Sequence, residues 1–369
     1  MNEKNKNNNL LKIVIPIIVF FVGCGAMYFV IFTFPNIFST SITKLEKNVT
    51  VTDEGIADAV EKIYDAVVVV STYSNEKLYA SGTGFVYKKD GDTAYVLTNN
   101  HVIEGGNKVT LTFTNGQVIE AKIVGSDALS DIAVLSIASS DVLEVAEIGT
   151  SEDMRVGDTT FAVGAPLDSV YSWTVTRGIL SGKDRMIEVE LTNSGDYVMK
   201  VLQTDAAINS GNSGGPLCNS NGEVIGITSL KLVDESVEGM GFAIPIEIAL
   251  EYANKIVNGE SITQPYLGVS MLNVTDAYYR TQYYSMLTTY DITSGVIVVS
   301  VEKNTPASQA GLQAGDVIIK INDDKITSIG YLRYYLYNYD VGDKITLTYL
   351  RDGKEKTTTV TLGSNKNTY

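Results

Sequence analysis

The 369-residue sequence is poor in cysteine and histidine, with two cysteines and a single histidine. Cys24 lies in a long apolar run and Cys218 lies far from it in a folded region, so we expect no disulfide between them. A zinc site needs several Cys or His ligands at close spacing, and the sequence has no such cluster. No Gly-rich loop ending in Lys and Ser or Thr is present to hold ATP phosphates. The sequence therefore predicts a protein without a metal or other cofactor.

Basic residues are also scarce, since 28 Lys and Arg stand against 43 Asp and Glu, for a net charge of −15. A chain of this charge is repelled by phosphate backbones, which argues against a nucleic-acid partner. Hydrophobic residues make up 44% of the sequence, enough for two to three sizeable cores without disulfides.

The one long apolar run covers residues 13–34 and has no charged residue. About 20 apolar residues cross the hydrocarbon core of a bilayer, so this run predicts a transmembrane helix. Three lysines in residues 1–12 predict a cytoplasmic amino terminus, with the rest of a bacterial protein outside the cell membrane. A cleaved signal peptide and a lipoprotein signal ending at Cys24 remain alternatives, although the run continues too far past Cys24 for either. The polar residues 35–54 are interpreted as a linker.

Short β-branched runs separated by turn residues recur after residue 55. Strands at this density, without helical periodicity between them, predict a mainly β domain of two six-stranded barrels over residues 55–260. The predicted strands are Ala66–Ser71, Gly84–Lys88, Ala94–Thr98, Lys108–Phe113, Gln117–Gly125, Ile132–Ile137, Thr159–Val163, Val175–Ser181, Glu223–Leu230 and Gly241–Ile244. A short helix over Pro245–Val257 would close the domain.

Three residues suit nucleophilic catalysis. Ser213 lies between glycines, where a tight turn can expose a hydroxyl. A serine is a weak nucleophile that needs a base, and His101 is the only imidazole in the chain. Asp131 heads an apolar run and could orient that imidazole. The chain order His, Asp, Ser is that of chymotrypsin-like enzymes and differs from the orders of subtilisins and α/β-hydrolases.

The same turn could supply an oxyanion hole. The backbone N–H groups of Gly211 and Ser213, with Asn212 between them, would hold the charge that develops on the substrate carbonyl. Each motif alone also has a structural interpretation: a Gly-rich turn, a strand-end carboxylate and a packed histidine. Their joint presence at these spacings favours catalysis.

A second module follows at residues 264–363. Tyr266, Leu267, Gly268 and Val269 resemble the carboxylate-binding loop of a PDZ domain, where backbone N–H groups capture a peptide C-terminus. The segment 308–318, which contains Ala-Gly-Leu-Gln-Ala-Gly-Asp, strengthens the resemblance. Residues 328–339 have the apolar spacing of a helix. The many tyrosines of this module suit either packing or aromatic recognition.

Several motifs together resemble the HtrA/DegP family of serine proteases over about residues 55–363. They are Thr98–Val102, Ser130–Leu135, Val175–Ile179, Gln203–Leu217 and Gly241–Pro245. The resemblance implies a trypsin-like double β-barrel followed by one PDZ domain. It also implies ATP-independent cleavage of misfolded or envelope proteins, and assembly as homotrimers.

The resemblance further implies roles for three residues. Ala207, six residues before the nucleophile, would line the base of the primary specificity pocket together with Ile208. A sensor loop that orders the active site would lie within residues 183–199, with Arg185 as its contact. The sequence departs from the usual family pattern at Ala165 and Arg177, neither of which carries the proton transfer.

Three functions are compatible with the sequence. The first is a membrane-tethered endopeptidase that degrades damaged exported proteins. The second is a regulatory protease that cleaves one membrane partner after its PDZ domain binds a C-terminal peptide. The third, a non-catalytic PDZ scaffold or chaperone, is disfavoured by the intact Ser, His and Asp.

The apolar pocket floor generates a prediction about cleavage sites. We expect fastest cleavage after Val or Ala, because an alanine at position 207 offers no charge to a Lys or Arg side chain. Mass spectrometry of the fragments of an unfolded protein measures this preference. Equal or faster cleavage after Lys or Arg would contradict it.

Overall fold

The computed structural model describes residues 17, 19–28, 33, 54–164, 173–191, 195–229, 239–260, 262–277 and 281–364. The chain forms two compact units, Met1–Val51 and Thr52–Tyr369. In the first unit all of the described residues are helical. Among the described residues, no helix combines the length and apolarity needed to cross a bilayer. The predicted tail 1–12 and part of the predicted anchor 13–34 lie outside them, as does almost all of the linker 35–54.

The second unit begins with helix α1 and a closed six-stranded barrel. The elements are α1 (Glu54–Tyr64), β1 (Val67–Ser74), β2 (Lys77–Asp90), β3 (Thr93–Thr98), α2 (Asn100–Ile103), β4 (Lys108–Thr112), β5 (Val118–Asp127) and β6 (Ile132–Ala138). A 3₁₀ turn, Ser139–Asp141, follows. The strand order is β1-β2-β3-β6-β5-β4, and each neighbouring pair is antiparallel. Val, Leu and Phe side chains such as Val70, Leu111 and Phe113 fill the barrel.

The second barrel repeats this architecture. Its strands are β7 (Thr159–Gly164), β8 (Thr174–Leu191), β9 (Gly195–Thr204), β10 (Pro216–Asn219), β11 (Val224–Thr228) and β12 (Gly241–Pro245), followed by α3 (Ile246–Val257). The order β10-β11-β12-β9-β8-β7 again closes. Buried residues such as Phe161, Ile246 and Phe85 form one core that continues from one barrel into the other. The two six-stranded barrels predicted from the sequence are therefore confirmed.

The C-terminal module is an α+β domain. Its strands are β13 (Pro265–Tyr266), β14 (Val269–Asn273), β15 (Val296–Val301), β16 (Val317–Ile321), β17 (Asp324–Lys325), β18 (Lys344–Arg351), β19 (Lys354–Thr361) and β20 (Gly363–Ser364). Its helices are α4 (Val274–Ala277), α5 (Thr281–Thr289), α6 (Pro306–Gln309) and α7 (Ile329–Leu336). The main sheet has the order β14-β15-β16-β18-β19, which leaves β14 at an edge.

Helix α7 begins where the sequence predicted it. Ser328 is its N-cap, and the hydroxyl oxygen accepts a hydrogen bond from the N–H of Tyr331 at 3.4 Å. Leu332 and Leu336 are buried in the core of the domain. The helix ends earlier than the predicted segment 328–339.

The other face of α7 packs on strand β9 of the second barrel. A Cβ atom on Gly330 would lie 2.9 Å from the side chain of Val198, so a glycine permits this close approach. The rings of Tyr197 and Tyr337 lie 5.8 Å apart. Burial raises the pKa of Tyr197 far above its usual range, and the nearby Tyr252 adds a smaller increase. The Tyr197 hydroxyl therefore stays neutral.

An ion pair on a buried carboxylate stabilises the C-terminal domain and generates a stability prediction. Arg351 binds Asp316 through two hydrogen bonds of 2.6 and 2.7 Å, and Asp316 is 1% exposed. Replacing Arg351 by Met leaves this carboxylate without its partner, so we expect a loss of about 3 kcal/mol in the free energy of unfolding. Urea unfolding followed by circular dichroism measures the loss.

The exposed pair Lys255–Glu251, at 2.7 Å, provides the matched control. Replacing Lys255 by Met should cost less than about 0.5 kcal/mol, because solvent screens an exposed pair. Equal losses for the two variants would contradict the stabilising role of the Arg351–Asp316 pair.

Candidate active site

Ser213 lies in a tight turn between β9 and β10. Two glycines give the turn its shape: Gly211 has φ +105° and Gly214 has φ +83°, values that favour glycine. A Cβ atom on Gly214 would lie 2.2 Å from the carbonyl oxygen of Thr83. Only glycine therefore fits at position 214.

Strand β2 of the first barrel holds this turn from one side. The N–H of Thr83 donates to the carbonyl oxygen of Ser213 at 2.8 Å, and the Thr83 hydroxyl donates to that of Gly211 at 2.6 Å. On the other side, the Gly214 N–H donates to the Thr228 carbonyl at 2.9 Å, and the Thr228 hydroxyl donates to the Asn212 carbonyl at 2.6 Å. Residues of both barrels thus fix the backbone around Ser213.

The backbone N–H groups of the turn differ in whether they donate a hydrogen bond within the turn. The N–H of Asn212 donates to the carbonyl of Asn209 at 3.0 Å, so it is used within the turn. Among the described residues, none accepts a hydrogen bond from the N–H of Gly211. Of the predicted oxyanion donors Gly211, Asn212 and Ser213, Asn212 therefore shapes the turn through its N–H, whereas the N–H of Gly211 is not used within the turn.

His101 and Asp131 form a pair. His101 lies in α2, directly after β3, and its Nδ1 is 2.8 Å from Oδ2 and 3.0 Å from Oδ1 of Asp131. The backbone N–H of His101 also donates to Oδ1 at 3.0 Å. Because the carboxylate fixes a proton on Nδ1, Nε2 is left as the basic nitrogen. The histidine side chain is 27% exposed and that of Asp131 only 2%.

The backbone around Asp131 is specialised. Asp131 has φ +57°, in the left-handed region that aspartate tolerates better than most residues. Its carbonyl oxygen accepts from the N–H of Asn100 at 3.1 Å and from the side chain of Asn99 at 2.9 Å. These bonds tie the segment before β6 to α2, which brings His101 and Asp131 together.

Ser229, which follows β11, completes the surroundings of the carboxylate. Its hydroxyl donates to Oδ2 of Asp131 at 3.0 Å, and the residue is fully buried. The family resemblance predicts Ser229 only as the first residue of a loop, residues 229–240, that forms a wall of the specificity pocket, and the sequence predicts no site role for Thr83. Each lies at the end of an ordinary apolar strand pattern, so no local signal marks it.

The seam between the barrels brings the serine turn to the histidine. A Cβ atom on Gly214 would lie 2.3 Å from the hydroxyl of Thr98 and 3.0 Å from the N–H of Asn99. The turn of Ser213 therefore packs against the chain two residues before His101. The turn that carries Ser213 thus lies close to the segment that carries His101, although the two are far apart in the sequence.

The predicted pocket residues have different surroundings. Ala207 is exposed, and its carbonyl oxygen accepts hydrogen bonds from Thr176 at 2.9 Å and from the Asn212 side chain at 3.2 Å. Ile208 is 8% exposed and packs in the core of the second barrel. Most of the neighbouring loop 229–240 lies outside the described residues.

Arg185 is exposed on β8, opposite Val201. Its Nε would lie 2.5 Å from a Cβ atom on Gly182. In the described part of the chain, Arg185 forms no hydrogen bond or ion pair with the turn of Ser213. Residues 192–194 of the predicted sensor segment lie outside the described residues.

The predicted carboxylate-binding loop joins β13 to β14. Gly268 has φ +83°, and a Cβ atom there would lie 2.3 Å from Thr305. Tyr266 donates a 2.6 Å hydrogen bond to Glu302, and burial followed by this bond raises the pKa of Tyr266 to about 12. No described residue accepts a hydrogen bond from the N–H of Leu267 or Gly268. Val269 begins the edge strand β14.

A serine in a glycine turn packs against the segment of a histidine that is bonded to a buried aspartate, at the seam of two six-stranded barrels. This is the arrangement of a chymotrypsin-like serine peptidase. A family model described as a trypsin-like peptidase domain matches residues 82–227, and a PDZ domain model matches residues 265–362.

Similar proteins specify the family. The chain is 42% identical to "Serine protease Do-like HtrB" of Bacillus subtilis (strain 168) over 323 residues, which cover 83% of this chain and 70% of that protein. It is 37% identical to "Serine protease Do-like HtrA" of Lactococcus lactis subsp. cremoris (strain MG1363), and the match covers 89% of this chain and 87% of that protein. The chain belongs to the HtrA/DegP family of serine endopeptidases.

Solved structures of related proteases have a similar fold. The serine endoprotease from Yersinia pestis superposes with a TM-score of 0.64 at 31% identity, covering 84% of this chain and 98% of that chain. The HtrA-type protease AlgW with a decapeptide superposes with a TM-score of 0.66 at 28% identity, and the match covers 85% of this chain and 99% of that chain.

The hydrogen bond from Ser229 generates a prediction for the site. Replacing Ser229 by Ala leaves one oxygen of a buried carboxylate short of a donor, so we expect kcat to fall roughly tenfold. Steady-state kinetics on a peptide substrate measures the change.

Ser151 supplies a matched control, because it is also buried and donates to a carboxylate, that of Glu247, at 2.6 Å. Ser151→Ala should lower stability and leave kcat unchanged. An unchanged kcat in Ser229→Ala would contradict the role of Ser229.

Proposed function

We propose that the protein hydrolyses peptide bonds through an acyl-enzyme on Ser213. The observation that carries the proposal is the bonded pair His101–Asp131, buried on the aspartate side and packed beside the serine turn. Ser213 is the nucleophile, His101 the general base and Asp131 the group that orients the imidazole. The N–H groups of Gly211 and Ser213 form the oxyanion hole.

The reaction proceeds in two halves. The Ser213 oxygen attacks the substrate carbonyl while Nε2 of His101 takes the hydroxyl proton, and the oxyanion faces Gly211 and Ser213. The tetrahedral intermediate collapses as His101 returns the proton to the departing amine, which leaves an ester on Ser213. Water, deprotonated by His101, attacks this ester and releases the carboxylate product and free serine.

We further propose that the substrates are misfolded or damaged exported proteins. An unfolded chain supplies the extended segment that a cleft between two β-barrels accepts, and no ATP-driven unfolding is then required. The apolar run 13–34 supports a single membrane anchor, with the peptidase and PDZ domains outside. The homotrimer is proposed from the family resemblance.

The PDZ domain is proposed to bind C-termini of substrates or activators. Support comes from the loop Tyr266–Val269, where the N–H groups of Leu267 and Gly268 are available beside the edge strand β14. A peptide would extend the sheet at β14, with its carboxylate held by the loop.

Replacing Ser213 by Ala tests the proposed activity. We expect cleavage of a reduced, carboxymethylated protein to fall at least about 10⁴-fold, because the acyl-enzyme cannot form. The matched control is Ser210→Ala, at an exposed serine of the same turn, which should retain wild-type rates.

A short peptide with an apolar C-terminus should raise the wild-type rate if the PDZ domain regulates the site.

The fragments distinguish the candidate functions. Many cleavage sites across unrelated unfolded proteins would support quality control. Cleavage confined to one membrane partner would favour the regulatory protease. Equal inactivity of the wild type and Ser213→Ala on every substrate would contradict a peptidase.

A further inference from the structure

One backbone carbonyl before the nucleophile is bonded to side chains of two different elements. The carbonyl oxygen of Ala207 accepts a hydrogen bond of 2.9 Å from the hydroxyl of Thr176, which lies on β8. It also accepts a bond of 3.2 Å from Nδ2 of Asn212, in the turn of Ser213. A carbonyl oxygen has two lone pairs, so these two donors satisfy it completely.

The Thr176 hydroxyl acts at a place where strand pairing has ended. On one side, residues 174–179 of β8 pair with β7. On the other side, β8 pairs with β9 only up to the last residue of β9, so among the described strands the segment 205–207 has no ladder pairing with β8. The N–H of Ile179 donates to Oδ1 of Asp205 at 2.6 Å instead. Side-chain hydrogen bonds thus replace the ladder here, and the bond from Thr176 is one of them.

Water reaches Ala207 in the free protein. Ala207 is exposed, whereas the next residue, Ile208, is 8% exposed and packs in the core of the second barrel. The backbone at Ala207 therefore lies on the border between the core and the solvent. As the proposed base of the specificity pocket, Ala207 loses its water when an aliphatic substrate side chain enters. From then on its carbonyl oxygen depends on protein donors alone.

This change of surroundings makes the energetic effect of the Thr176 hydroxyl depend on the substrate. In the free protein a water molecule can replace a lost donor on the carbonyl oxygen at little cost. In a filled pocket no water is present, and a missing hydrogen bond weakens the binding of the side chain that expelled the water. The Thr176 hydroxyl therefore stabilises the complex with an aliphatic substrate more than it stabilises the free protein.

We propose that Thr176 determines part of the specificity of the peptidase. Its hydroxyl satisfies the carbonyl oxygen of Ala207, which lets the base of the pocket accept an aliphatic side chain before the scissile bond. Thr176 is a positioning residue, because it acts through Ala207 and not on the reacting atoms. Asn212 supplies the second donor, so removing the Thr176 hydroxyl weakens the selection without abolishing it. This inference rests on the proposed peptidase function, with Ala207 at the base of the pocket.

Two fluorogenic peptides that differ only in the residue before the scissile bond, Val in one and Gly in the other, test the inference. Glycine places no side chain in the pocket, so water stays at Ala207. We expect the wild-type protein to prefer the Val peptide by more than about tenfold in kcat/KM. Thr176→Val removes the hydroxyl and keeps the branched shape. It should lower kcat/KM about fivefold for the Val peptide, chiefly through a higher KM, and leave the Gly peptide unchanged.

Two further variants are the controls. Thr176→Ser keeps the hydroxyl, so it should retain the wild-type ratio of the two peptides. Thr358→Val removes a hydroxyl that also donates to an alanine carbonyl at 2.9 Å, that of Ala310, but in the C-terminal domain. It should retain the ratio as well. Thermal unfolding of each variant checks the fold, and labelling of Ser213 with a fluorophosphonate checks the nucleophile independently of the pocket.

Several outcomes would overturn the inference. A wild-type ratio near one, or an unchanged ratio in Thr176→Val, would show that the hydroxyl does not act on the pocket. Equal losses for both peptides with a lower unfolding temperature would assign Thr176 a structural role only. Equal losses in Thr176→Ser and Thr176→Val would show that the hydroxyl is not the group responsible. In these cases Ser213 is still labelled, whereas a wild-type protein that neither cleaves nor is labelled at Ser213 would refute the proposed peptidase as well.

Discussion

The buried carboxylate of Asp131 is the constraint on which the rest of the site depends. An ion removed from water is stable only when donors surround it, and here the donors are the ring and backbone N–H of His101 and the hydroxyl of Ser229. His101 belongs to the first barrel, whereas Ser229 follows a strand of the second. Satisfying one charge therefore requires both barrels to be folded and in contact, which couples the chemistry to the complete domain.

The serine turn obeys the same requirement. Thr83 from the first barrel and Thr228 from the second each donate a hydroxyl to a carbonyl of the turn, at 2.6 Å. With its carbonyls held in this way, the turn keeps Gly211 at a positive φ and leaves the Gly211 N–H without an acceptor among the described residues. The N–H of Gly211, a proposed oxyanion donor, is thus left without such an acceptor before substrate arrives, and preorganised donors lower a barrier most.

Much of this architecture could be predicted from the sequence, for identifiable physical reasons. Alternating β-branched runs reveal strands because burial on one face is a local property, and the glycines around Ser213 reveal a tight turn in the same way. The bond from Ser229 to Asp131 could not be predicted, since the two residues are 98 positions apart in the sequence. The contact of Tyr197 with Tyr337 escaped prediction for the same reason. Asn212 was expected among the oxyanion donors, but the carbonyl of Asn209 engages its N–H, and only the folded turn reveals this.

The central claim is that Ser213 is a nucleophile activated by His101. Its most direct test is labelling of the intact protein with a fluorophosphonate, followed by mass spectrometric mapping of the modified residue. The account predicts one adduct, on Ser213, whose rate of formation drops sharply in His101→Ala. An adduct on another serine, or equal labelling of Ser213 in His101→Ala, would contradict it.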